Sequence, residues 1–210
     1  MKEKFLDGAI NLIAKYQKIN EGDTLKLRYG LEGLYLTTTK TAIIFVLAFI
    51  FGIFKEMLIL LLLFNIVRFT GFGFHAKKSW ECLLVSILSF VMFPFLLLNL
   101  YINKNVLFIT GILGTIYLFF YAPADTIKRP LPNKRKRVIR KIITVSTATI
   151  FTIIALFLNE YRFSLLLTDA VVLEDVMVSP ITYKVFKQPY KNYVNYKKKK
   201  NGLISIKYDI

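Results

Sequence analysis

Arg68-Phe69-Thr70-Gly71-Phe72-Gly73-Phe74-His75-Ala76-Lys77-Lys78-Ser79-Trp80-Glu81-Cys82 is a polar island with a long apolar run on either side. Residues 57–67 before it are almost wholly aliphatic or aromatic, and residues 83–101 after it hold no charge. Apolar runs joined by short polar connections describe helices that cross a membrane. The island also holds the only histidine, the only cysteine and the only tryptophan of the 210 residues.

The whole chain carries the same signature. It is 55% hydrophobic, yet 29 Lys and Arg stand against 13 Asp and Glu, a net charge of +16. Mean hydropathy is +0.52. Apolar segments separated by basic connections make a polytopic membrane protein. The densest basic runs lie beside membrane-length segments, so the positive charge reads as basic loops retained inside the cell, and no nucleic acid is expected as partner. One cysteine excludes an internal disulfide. One histidine and one cysteine are too few for a zinc site, and neither metal nor cofactor is expected. Met1-Lys2-Glu3-Lys4 leads into a mixed polar segment, so no cleavable signal peptide is expected either.

Taken in order, residues 1–33 form an amphipathic cytoplasmic segment. Phe5, Leu6, Ala9, Ile10, Leu12, Ile13 and Tyr16 recur at helical spacing. Such a helix lies on the bilayer surface or packs on the protein's own cytosolic face, and both readings stay open. Residues 34–183 form the membrane domain, with spans at 34–54, 57 to about 71, 83–101, 106–121, 142–158 and 163–183. A single span over 42–67 would place Lys55 and Glu56 near mid-bilayer, at roughly 2.5 to 3.5 kcal/mol each. Two helices, with Lys55-Glu56 as an outer turn, avoid that cost. Pro94 predicts a kink in the third span. Residues 184–210 are a basic cytoplasmic tail.

The predicted architecture is therefore an all-α integral membrane protein of about six transmembrane helices with an N-terminal amphipathic helix. With six spans, the N-terminus, the 68–82 island, the 128–141 loop and the tail share one side. The turns at 55–56, 103–105 and 159–162 share the other, and they are short and poor in charge. Basic loops stay cytoplasmic, so both termini and the island are expected there. A five-span alternative would leave the basic N-terminus outside.

Ser79 is a plausible N-cap for the third span, which places Cys82 in the first helical turn. Unpaired N–H groups, the helix dipole and nearby Lys77 and Lys78 favour a thiolate there, while Glu81 opposes it. In one straight helix, seven steps would separate the His75 and Cys82 backbones by about 10.5 Å. Gly71 and Gly73 permit the bend that a His75–Cys82 pair requires. The bland reading makes Cys82 a small apolar filler and His75 an interfacial loop residue. Ser79 with His75 is a further nucleophile option. Spacing alone leaves all of these open.

Arg68, Gly73, His75-Ala76 and Cys82, in this order, resemble the signature of the accessory gene regulator B (AgrB) family. Tyr121-Ala122-Pro123-Ala124-Asp125, then Lys128 and Pro130-Leu131, is similar to the Ala-Pro-x-Asp segment and basic loop after that family's fourth span. The resemblance runs from the N-terminal helix to about residue 180. One departure is Phe72-Gly73 where many members have paired glycines, the other glycine being displaced to Gly71. Glu174 and Pro180 match a polar residue and a proline often found in the family's last span.

The resemblance implies a cell-membrane, multi-pass cysteine endopeptidase of a Gram-positive-type bacterium. In that scheme, His75 and Cys82 are catalytic. The enzyme cleaves the C-terminal tail of a quorum-sensing propeptide of the AgrD type and forms a cyclic thiolactone or lactone through an acyl-enzyme thioester. The expected partners are that propeptide, with its amphipathic N-terminal helix and acidic C-terminal tail, the lipid bilayer, and a second copy of the chain in a homodimer. Arg68, Lys134, Arg135, Lys136 and Arg137 are candidate substrate-binding residues, the basic run being suited to an acidic tail. The positive-inside rule and attraction to anionic lipid also account for that run. Ser79 and Glu174 are candidate supporting polar groups. Asp169, Glu174 and Asp175 either face a protein cavity or lie at the interface of a shorter sixth span. The rival class is a non-catalytic membrane peptide exporter or scaffold, which would keep its function when Cys82 is replaced.

Overall fold

The structure is a computed structural model that describes residues 2–16, 20–76, 78–127 and 129–200. Its regular elements are all helices, without a strand among the described residues, and it resolves into two units, residues 1–52 and 53–210.

In the first unit, α1 (Lys2–Tyr16) packs against α2 (Glu21–Ile50). Leu6 is fully buried, and the Phe5 and Tyr35 rings meet at 5.3 Å. Lys2 bonds Glu32 at 2.6 Å, while Arg28 reaches Asp7 at 3.1 Å and also pairs with Glu3. The apolar stripe of α1 therefore has a partner helix within its own unit. Asn20 caps α2, its Oδ1 accepting from the Asp23 N–H at 2.8 Å. The helix runs unbroken through residue 33, where the composition changes from polar to apolar.

The second unit begins after a break at Phe51–Ile53, where Gly52 has φ +69°. The two-helix expectation for this stretch therefore agrees with the structure, although Lys55 and Glu56 occupy the first turn of α3 (Phe54–Gly71) and not the turn itself. α4 covers Ser79–Leu98 and contains a π-helical turn at Leu88–Met92. That turn lies just before Pro94, whose ring and missing N–H disturb the preceding helical ladder, so the disruption takes the form of a π-turn. α5 (Lys104–Tyr121) and α6 (Lys134–Phe157) follow. Asn133 caps α6 through the Lys136 N–H, drawing the whole basic run 134–137 into the helix. α7 is Tyr161–Val178, α8 Pro180–Val185 and α9 Asn192–Lys200. The expected sixth span is cut at Ser179, because the residue before proline is driven to extended backbone. Residues 201–210 of the expected tail lie outside the described residues.

α7 is the central helix, packed on α3, α5, α6 and the C-terminal part of α4. Among the described residues, four helices are long and apolar enough to cross a membrane: Gly22–Ile50, Ser79–Leu98, Lys104–Tyr121 and Lys134–Phe157. The chain is thus an all-α integral membrane protein. Of the expected six spans, α3 and α7 have 18 residues each and carry ionisable side chains. In α7 Asp169 and Glu174 turn inward, while Arg162 in its first turn is exposed. Asp169 and Glu174 are buried, and neither Asp169 oxygen has a hydrogen-bond partner. Protein, not lipid, surrounds them, as expected for charge within a bundle. Threonine bonds join the neighbours: Thr144 donates to Thr70 at 2.8 Å, tying α6 to α3.

The turns predicted to share a side are joined at one end of this unit. Arg162 bonds Glu56 at 2.7 Å, and the Tyr161 hydroxyl takes the Ile102 N–H at 2.8 Å while donating to Leu100 O at 3.0 Å. The island and the loop after α5 meet at the other end.

Candidate active site

At that second end the chain leaves α3 in an unusual conformation. Phe72 has φ +61° and ψ −113°, and Gly73 has φ +94°. Phe72 pairs with Ala124 as a parallel bridge: Gly73 N–H donates to Ala124 O at 2.8 Å, and Ala124 N–H to Gly71 O at 3.0 Å. The next N–H, of Phe74, donates to Met177 O at 2.7 Å. Gly73 is obligatory on two counts, since a Cβ there would stand 2.7 Å from the Met177 carbonyl oxygen and 2.9 Å from Arg68 Nη1. Phe72 has no such excuse. Its ring lies under the Arg140 guanidinium, 4.4 Å away, in a region that costs a side-chain-bearing residue roughly 1–3 kcal/mol. Phe72→Gly is therefore expected to unfold later than Phe72→Ala, by about 1–3 kcal/mol, because both lose the ring and only glycine relieves the backbone. Thermal unfolding in one detergent checks this; the reverse order would mean that residue 72 does not hold positive φ.

The Ala122–Asp125 loop that supplies this bridge is itself anchored. Asp125 accepts from Leu131 N–H at 3.2 Å and Asn192 N–H at 2.8 Å, and the Tyr183 hydroxyl donates to its carbonyl at 3.0 Å. Burial raises the Asp125 carboxyl above its ordinary range, and the backbone donors partly offset that.

Arg68, in the last turn of α3, ties the island to α7. Its Nη2 donates to Phe74 O at 2.5 Å, and its Nη1 lies 3.5 Å from Glu174 Oε2. Glu174 is wholly buried and packs against Gly71. His75 follows the residue that Arg68 holds, and its own carbonyl accepts from Gln188 Nε2 at 2.7 Å. α4 then begins at Ser79, with Lys78 as the cap residue in extended conformation. This corrects one expectation: Ser79 is the first helical residue, not the cap. Cys82 still lies in the first turn, its N–H donating to Lys78 O at 3.1 Å.

The non-helical path at residues 72–76 and 78 supplies the bend that a His75–Cys82 pair requires. His75 and Cys82 both line a pocket of about 160 Å³, with Arg68 at its wall and Phe64, Phe90 and Met177 among the apolar lining. Val85 and Ser86, three and four residues beyond Cys82, complete that face. None of Ser79–Ile87 is buried, so the thiol-bearing half of α4 borders the pocket without being packed into the core. The volume suits a peptide unit and its side chains, not a whole peptide.

Not every expected residue is brought here. Ser79 is exposed and does not line this pocket. Glu174 stands behind Arg68. Lys134 and Arg137 line a different pocket, and Arg135 and Lys136 are exposed on α6. Lys78 lies 3.8 Å from Glu81, and Lys77 is outside the described residues. Sequence reasoning missed Gln188 and the Met177 carbonyl, which hold His75 and Phe74 through backbone atoms; no side-chain pattern announces such a bond.

Fold and site together define a helical integral membrane protein with Cys82, His75 and Arg68 lining one pocket at the end of its bundle. The chain belongs to the accessory gene regulator B (AgrB) family, whose model matches residues 7–179, and hence to accessory gene regulation. It is 31% identical over 196 residues to an AgrB-like protein of Clostridium acetobutylicum, covering 93% of this chain and 94% of that one. An AgrB-like protein of Listeria monocytogenes is 33% identical over 181 residues, 85% of this chain and 88% of its own. The accessory gene regulator protein B of Staphylococcus saprophyticus is 30% identical over 184 residues, 86% and 96% of the respective chains. No solved structure matches the chain.

Proposed function

We propose that this protein is a membrane-embedded cysteine endopeptidase that matures a quorum-sensing propeptide of the AgrD type into a cyclic thiolactone or lactone. The observation that carries the reading is the convergence of His75, Cys82 and Arg68 on one pocket within the family's fold. His75 takes the Cys82 thiol proton as sulfur attacks a carbonyl near the propeptide's C-terminus. The proton passes to the departing amine, the acidic tail leaves, and a thioester to Cys82 remains. The propeptide's own cysteine, or serine, then attacks the thioester, closing the ring and restoring the Cys82 thiol.

Ring closure must outrun hydrolysis. A nucleophile held beside the thioester acts at an effective molarity of about 10⁵ M or more, and apolar walls such as Phe64 and Phe90 limit water. Arg135 and Lys136, exposed outside both pockets, are the cations proposed to draw in the acidic tail. Arg68 instead acts inside the pocket, as a wall of the substrate site. The proposed protein works as a homodimer, with both termini and this end of the bundle cytoplasmic.

Co-expression with the propeptide from a short neighbouring reading frame, followed by mass analysis, tests the reading. The expected product is a shortened peptide lighter by one water than its linear core. Unchanged full-length propeptide would exclude the peptidase, and a shortened but linear product would exclude cyclisation.

A further inference from the structure

A second, larger pocket of about 330 Å³ lies between the C-terminal end of α5, the N-terminal end of α6 and the segment leading into α9, and it shares no lining residue with the Cys82 pocket. Four cationic residues line it: Lys134, Arg137 and Lys141 from α6, and Lys191. Among the described residues, none of these four has a carboxylate within ion-pair distance. The acidic residue in the wall, Asp125, has its two oxygens engaged by Leu131 and Asn192 N–H groups. Arg137 is held rigidly, donating to Leu131 O at 2.6 Å and Pro132 O at 3.2 Å with its guanidinium 4.0 Å over the Tyr193 ring. Lys141 and Lys191 rest near aromatic rings, Phe119 at 5.3 Å and Tyr190 at 5.9 Å, contacts that leave their ammonium charges uncompensated.

The apolar surroundings say what kind of anion fits. Phe120 and Val138 line the pocket yet are 67% and 47% exposed. Exposed Ile116 lies one turn from Phe120 on α5, and exposed Ile142 one turn from Val138 on α6. Lys141 reaches across the α5 side, its Nζ 5.3 Å from the Phe119 ring centre. Tyr121, Tyr190 and Tyr193 supply the amphipathic aromatics found where headgroups meet acyl chains. The polar end of the pocket thus continues into an apolar face on two membrane-length helices.

We propose that this pocket is a binding site for the headgroup of an anionic phospholipid, its phosphate held by Lys134, Lys141 and Lys191 and its acyl chains lying along the exposed face of α5 and α6. The acidic tail of a peptide would meet the cations and leave that face bare, whereas one lipid molecule supplies both the anion and the apolar chains. Basic pockets between helix ends on the cytoplasmic side are established places for such headgroups.

Native mass spectrometry of the full chain in detergent, titrated with phosphatidylglycerol or with phosphatidylcholine of the same acyl chains, tests the site. The wild-type protein is expected to retain phosphatidylglycerol preferentially. Each lysine near an anionic headgroup is worth roughly fivefold, so Lys134→Ala/Lys141→Ala/Lys191→Ala should lower retention by about a hundredfold at low salt. Lys141→Gln alone, the gentler change, should lower it by roughly fivefold. Three results would each overturn the proposal: equal retention by wild type and variants, glycerol phosphate binding as tightly as the lipid, or displacement of the lipid by an equimolar acidic peptide.

Discussion

Cys82→Ala is expected to abolish propeptide cleavage, and His75→Ala to slow it by roughly 10²–10⁴-fold, the usual contribution of a positioned base. The larger loss falls on sulfur because the covalent step has no other nucleophile in the pocket of comparable reactivity; Ser86, the nearest hydroxyl in the lining, is a weak one at neutral pH. The two changes should not add. Once the thiol is gone, removing the imidazole has nothing left to slow, as for other residues that act as one unit. Single-turnover measurement of tail release in reconstituted membranes would read each rate. A cyclic product still formed by Cys82→Ala would overturn the mechanism and favour an exporter or scaffold.

The second large effect concerns the pair behind the pocket. The Glu174 side chain is fully buried and that of Arg68 is 15% exposed. Arg68→Ala strands a buried carboxylate and is expected to cost roughly 3–5 kcal/mol of stability. It also removes the donor that fixes Phe74 O, the atom one residue before His75. The two consequences separate in Arg68→Met/Glu174→Leu. Replacing a buried ion pair with apolar residues of similar volume is often neutral for stability, so the double variant should recover its unfolding midpoint. Processing should stay low, because nothing then holds the Phe74 carbonyl. Full recovery of processing alongside stability would show that Arg68 serves the fold alone.

How far the sequence carried these conclusions depends on the residue. Helix after helix was legible, since apolar runs between polar turns leave few alternatives, and the separation of α2 from α3 followed from the cost of immersing Lys55 and Glu56. Which connections share an end was legible too, from the alternation of apolar runs. The Arg162–Glu56 bond and the Phe72–Ala124 bridge place the predicted groups of connections at opposite ends. Element edges were not. Asn133 carried α6 back through the basic run, and Pro180 cut the last span, both through single-residue capping and backbone preferences that periodicity ignores. The pocket lining divided in the same way. His75 and Cys82 were singled out as rare residue types and chosen on the family resemblance, whereas Gln188, Met177 and Phe64 act through backbone bonds or ordinary packing and leave no mark in composition. The lysines and arginines at 134–137 read as one run but point to more than one place, because successive helical positions are turned about 100° apart.

That same rotation gives the π-helical turn at Leu88–Met92 a further meaning. A π-turn holds one residue more than the regular helix around it. The segment carrying Cys82 is therefore out of phase by about 100° with the segment of α4 that packs on α7. The turn acts as a phase shifter: the C-terminal half of α4 is clocked by the bundle, and the surplus residue sets the direction in which the thiol leaves the helix. Deleting Ser89 alone would keep every residue that lines the pocket and still turn the sulfur away from it.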